Sequence, residues 1–96
     1  MNLTADQIKE VEELAELFFT PSEIALIIEV DPADFCKEFL YPGKILTAYN
    51  KGRLLAEAKI RKSIKELAEN GSAPAQQLLL KIRQESEQRK IIEENA

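Results

Sequence analysis

The sequence predicts an all-α fold: an N-terminal helix-turn-helix unit of three helices, then a long helix and a C-terminal helix that form a hairpin. Three observations carry this. Helix-start signals recur at Thr4, Thr20-Pro21, Asp31-Pro32 and Ser72 with Pro74. Apolar residues between them return at three- and four-residue steps, the spacing of one helix face. Pro42-Gly43 and Asn70-Gly71 then punctuate the chain where helices must stop. Residues 1–43 are expected to form the helix-turn-helix unit and residues 44–96 the long hairpin, both within one domain.

Thr4 caps the first helix, supported by Gln7 in a capping box, and the helix should run about 14 residues. Ile8, Val11, Leu14, Ala15 and Phe18 form its buried stripe, while Glu10, Glu12, Glu13 and Glu16 face solvent. Thr20-Pro21-Ser22-Glu23 opens the second helix with a hydroxyl cap, a proline at the first helical position and a glutamate placed to reach back. Because Asp31-Pro32 starts a third helix, the second must end near Glu29. Two short helices therefore meet at a tight turn.

Ile24, Ala25, Ile28 and Val30 fall where a helix-turn-helix wants apolar contacts, with a small residue at the crossing, and Phe35 and Phe39 continue that core. At about 100° per residue, Pro32, Phe35, Cys36, Phe39 and Leu40 share one face of the third helix, leaving Ala33, Asp34, Lys37 and Glu38 outward. That outer face carries two acids against one base, whereas DNA readout uses mainly cationic and amide side chains. Glu29 occupies the turn position where glycine is usual, which strains the backbone if its φ is positive.

The fourth helix should run from Lys44 to Asn70-Gly71, roughly 40 Å. Ile45, Tyr49, Gly52, Ala56, Ile60, Ile64 and Leu67 make its core face. Lys44, Lys51, Lys59, Arg61, Lys62 and Lys65 fall on the opposite side, with Arg53 straying toward the apolar edge. Two functions fit this basic face: a solvated surface offsetting the acidic first forty residues, or a ridge that tracks phosphates. Leu54, Leu55 and Ala58 interrupt it, and two adjacent leucines outside a core stripe point to self-association. Ser72 caps the fifth helix, whose stripe is Ala75, Leu78, Leu79 and Ile82. Polarity rises after Arg83, and the tail beyond Gln88 is expected to fray unless a partner holds it.

Composition narrows the function classes. Ninety-six residues make one domain that buries about 65% of its unfolded surface, enough for a modest core. A single cysteine and no histidine exclude an internal disulfide and argue against a zinc site. Cys36 reads as a small apolar filler, because no histidine is present to activate its thiol. No nucleotide fingerprint or phosphate loop occurs, and the acid pairs Glu12-Glu13 and Glu93-Glu94 have no apolar pocket to raise a pKa. The expectation is a protein that is not an enzyme and needs no metal or cofactor.

No apolar stretch approaches membrane-spanning length, and Met1 to Thr4 leads into a charged helix rather than a signal peptide. A reducing, cytoplasmic setting with no membrane contact is expected. The net charge of −4 hides a segregation. Met1 to Leu40 holds ten acids and two bases (net −8), and Tyr41 to Lys65 one acid and seven bases (net +6). Such polarity argues for one directed surface rather than generic nucleic-acid coating.

The order of elements resembles the small subunit of bacteriophage terminases and their relatives. The resemblance rests on the helix-turn-helix from Ile24-Ala25 through Val30 to Phe35 and a long helix entered through Lys51-Gly52-Arg53. It continues through Ala56, Arg61 and Leu67-Ala68, the break at Asn70-Gly71, and Ala75 leading to Leu79-Leu80-Lys81. It spans Leu3 to about Ile82. It implies a non-enzymatic DNA-packaging protein that forms a ring, recognises double-stranded viral DNA and hands it to a large terminase subunit, in the cytoplasm of a bacterial host. The residues placed to meet DNA are then Lys37, Lys44, Lys51, Lys59, Arg61, Lys62 and Lys65, with Leu54, Leu55 and Ala58 between subunits. Glu29 and the acidic Asp34 and Glu38 depart from that pattern. A dimeric helix-turn-helix transcriptional regulator and a protein-interaction module that has lost DNA contact remain the alternatives.

Overall fold

In the computed structural model, which describes all 96 residues, the chain is all-α. Helix α1 spans Ala5–Glu16, α2 Pro21–Ile27, α3 Pro32–Lys37, α4 Lys44–Glu69 and α5 Ala73–Glu94, with a 3-10 turn at Glu38–Leu40 after α3. The contacts group these elements into two units, Met1–Glu57 and Ala58–Ala96, and the division falls inside α4.

The helix starts form by the local chemistry that predicts them. Thr4 Oγ1 accepts from the Gln7 amide (3.1 Å) while Gln7 Oε1 accepts from the Thr4 amide (2.9 Å). Thr20 and Glu23 repeat the reciprocal pair at 3.3 and 2.8 Å, and this bonding from the Thr20 backbone and then its side chain holds the Glu23 carboxyl below its usual pKa. Asp31 Oδ2 accepts from the Asp34 amide at 2.9 Å, and Ser72 Oγ from the Ala75 amide at 3.3 Å. Each bond satisfies an amide that a helix N-terminus would otherwise leave orphaned.

Three helices end on left-handed residues, of which one is glycine. Phe18 (φ 67°), Glu29 (φ 61°) and Gly71 (φ 96°) reverse the backbone after α1, α2 and α4. Bonds from the Phe19, Val30 and Ser72 amides reach back to Leu14, Ala25 and Leu67 carbonyls, closing the C-terminal turns. Glu29 thus has the positive dihedral that makes its turn strained. Phe18, expected on the buried stripe of α1, lies past the end of the helix and is 48% exposed.

The first unit is built on Val11 and Ala15 of α1, Ile24 and Ala25 of α2, Ile28, Phe35 of α3, and Ile45 and Ala48 of α4. Phe39 links the second aromatic layer, 5.3 Å from the Phe35 ring and 5.1 Å edge-on to Tyr49. Gly52 sits where α4 crosses α1: a Cβ there would collide with the Glu12 carbonyl oxygen and approach the Ala15 Cβ to 2.8 Å. Leu40, expected on the inner face of the third helix, is instead 72% exposed, because α3 gives way to the tighter 3-10 turn after Lys37 and the side chain rotates outward.

The expected core face of α4 also needs correction. Ile45, Gly52 and Ala56 are buried and Tyr49 and Ile64 half-buried, but Ile60 and Leu67 are exposed, while Ala48 and Ala68 are buried. One stripe at helical spacing assumes one packing neighbour along the helix, and the buried positions after Glu57 do not continue those before it. In the second unit Ala68 and Ala75 are buried on either side of the Gly71 turn, and Gln76 Nε2 donates to the Ala68 carbonyl at 3.0 Å. Helix α5 continues to Glu94, with every residue after Ile82 exposed.

Candidate nucleic-acid interface

In the first unit, the helix-turn-helix presents α3 beside the tight turn at Glu29, and the caps at Thr20 and Asp31 fix the start of each helix. The outer surface of α3 is nearly self-neutralised. Lys37 Nζ lies 3.9 Å from Asp34 Oδ1, and the α-amino group of Met1 donates to Glu38 Oε1 at 3.0 Å. The exposed Lys37–Asp34 pair at 3.9 Å holds weakly and can exchange partners. Lys37 is the cation of α3, which has no arginine, asparagine or glutamine to read a base edge.

Lys44 is exposed at the start of α4. Lys51, expected among the phosphate contacts, lies 3.4 Å from Glu12 Oε1 and ties α4 to α1. Arg53 has a structural post that sequence pattern alone did not reveal. Its Nη2 donates to the Phe19 carbonyl at 3.4 Å, and its guanidinium lies over the rings of Phe18 (5.5 Å) and Tyr49 (5.2 Å). The signal available was its stray position toward the apolar edge of a basic helix.

In the second unit, Lys59, Lys62 and Lys65 are exposed at successive three-residue steps of α4, a row of side chains along roughly 9 Å of helix. Lys65 Nζ is 4.0 Å from Glu69 Oε1, again a loose surface pair. Arg61 departs from this row: it is half-buried, with its Nε shielded from solvent. Leu54 is 68% and Leu55 38% exposed, and with Thr47, Asn50 and Lys51 they line a shallow apolar cleft on α4. Ala58 is exposed as well. No group of histidine, cysteine, aspartate and glutamate side chains is arranged to hold a metal ion, and no helix is long and apolar enough to cross a membrane.

The class defined by these features is an all-α protein with a helix, turn and helix near its N-terminus and a long, partly basic helix after it. Comparisons with protein-family models, curated proteins and solved structures each return no match.

Proposed function

We propose that this chain is a non-enzymatic, self-associating protein that holds double-stranded DNA through its phosphates, in the manner of a phage terminase small subunit. The observation that carries this is the row Lys59, Lys62 and Lys65, three ammonium groups exposed along one turn after another of α4. Cations so spaced can follow a phosphate strand and release its counterions, and this gives affinity without sequence readout. Lys44, exposed at the start of α4, adds charge in the first unit. The helix-turn-helix supplies orientation rather than base reading, since α3 offers no amide or guanidinium to a base edge. A ring of such subunits passing DNA to a large motor subunit is the role that the resemblance brings to this surface.

A second function is favoured by the pairing of Asp34 with Lys37, which leaves α3 without net charge. It is a protein-interaction module whose acidic first forty residues meet a basic partner. Titration into fluorescent duplex DNA at several salt concentrations decides between the two. For the native chain, log affinity should fall steeply against log salt; the Lys59→Ala, Lys62→Ala, Lys65→Ala variant should flatten that slope by about 2.7. No binding at low salt would remove the DNA function and leave the protein-interaction module. A two-fold dimer bound to half-sites about 34 Å apart would instead indicate a regulator.

A further inference from the structure

We infer that the outer part of α5 docks on the same segment of a second copy of this chain, the two helices lying antiparallel across a two-fold axis. This deepens the self-association in the proposed function and rests on that part of it, not on the DNA contact. Leu78, Ile82, Glu85, Arg89 and Ile92 follow one another at steps of four, three, four and three residues, so they form one stripe down the helix. Leu78 is 50% and Ile92 69% exposed, Glu85 and Arg89 are exposed, and Ile82 is half-buried.

The stripe is its own complement when reversed. Turned end for end and laid on its copy, it sets Ile82 against Ile92, Glu85 against Arg89, Arg89 against Glu85 and Ile92 against Ile82. Apolar meets apolar and acid meets base in every layer, and Leu78 widens the apolar end that receives Ile92 of the second copy. Ser86 and Gln88 flank the centre, while Glu87 between them points away from the contact, so no like charges meet there. A parallel arrangement would put Glu85 on Glu85 and Arg89 on Arg89, and repulsion selects the antiparallel one.

The chain also needs such cover. Helices in folded proteins draw most of their stability from packing one face, yet every residue of α5 after Ile82 is exposed. The inverse of this stripe is what a partner must carry, and the chain itself carries it. Because both sides present the same stripe, the contact is isologous and closes on two copies, joining two chains or two rings of chains. All of it lies on α5, so Lys59, Lys62 and Lys65 of α4 keep their access to phosphates. A contact over roughly 15 Å of helix is small, and pairing is expected at about 100 μM.

Charge reversal tests this with the full chain. Sedimentation of the native chain up to about 1 mM should show copies pairing. Glu85→Arg and Arg89→Glu each bring like charges together in both polar layers and should each weaken pairing by about tenfold or more. An equimolar mixture of the two should pair again, and so should the chain carrying both changes. Ile92→Asp should also weaken pairing, whereas Ile91→Asp, at a residue 56% exposed but off the stripe, should pair as the native chain does. Circular dichroism melts check that each variant is folded, and restored pairing in the mixture itself requires folded partners. A native chain that stays monomeric, charge variants that pair as it does, a mixture that stays apart, or equal effects at Ile91 and Ile92 would overturn the contact. DNA titration separates this from the proposed function, since the α5 variants keep the basic row and should still bind duplex DNA. If the native chain pairs but ignores DNA, the contact stands and the DNA function falls.

Discussion

Glu29 and Phe18 hold the same left-handed conformation for different returns. A non-glycine residue there costs about 1–2 kcal/mol, because its Cβ crowds the following carbonyl. Glu29 is exposed, so replacing it recovers most of that strain and loses only the extra freedom glycine has when unfolded. Glu29→Gly should therefore stabilise the chain by about 0.5–1 kcal/mol, read as a higher midpoint in urea with unchanged slope. Phe18 is different, since its ring supports the Arg53 guanidinium at 5.5 Å. Phe18→Gly should give no comparable gain, and a matching rise in both variants would show that the ring contact contributes nothing.

At the scale of the helices, the α1–α4 crossing at Gly52 sets the sharpest constraint. Alanine is favoured over glycine inside a helix by about 1 kcal/mol, so propensity alone recommends Gly52→Ala. The neighbour that its Cβ would meet is the Glu12 backbone, and backbone cannot swing aside as a flexible side chain can. Overpacking should win, and Gly52→Ala should destabilise by about 2 kcal/mol, measured by thermal and urea unfolding; a neutral or stabilising result would mean that α1 shifts freely on α4. Caps, breaks and helix types were legible because Thr4, Thr20, Asp31 and Ser72 act on amides three residues away. Beyond Ala56 the core face of α4 was legible only at the half-buried Ile64, because Ile60 and Leu67 carry the right spacing with no packing partner to cover them. The basic row was visible at Lys59, Lys62 and Lys65, while the burial of Arg61 and the tethering of Lys51 to Glu12 depend on tertiary contacts that periodicity does not encode.

Across the whole molecule, burial is concentrated in one part of the chain. The fully buried side chains Val11, Ile24 and Phe35 belong to the first unit, while α5 after Ile82 has none. Amide protection follows the free energy of local opening, which rises with packed apolar contact. In native-state hydrogen exchange of the dilute, unpaired chain, amides around Val11–Ala15 and Ile24–Ile28 should exchange most slowly, and those of α5 beyond Arg83 fastest, although both lie in regular helix. Equal protection along α5 would mean that another copy covers it in solution.

The ring contacts around Tyr49 have an optical consequence. The chain has no tryptophan and two tyrosines. Tyr41 is 72% exposed, while Tyr49 is held between the perpendicular Phe39 ring and the Arg53 guanidinium. A phenol held in one asymmetric setting absorbs left- and right-circularly polarised light unequally, and a freely rotating one averages that difference away. The tyrosine band of this protein is thus a native chromophore for the seating of α4 on the helix-turn-helix, with no label to perturb either.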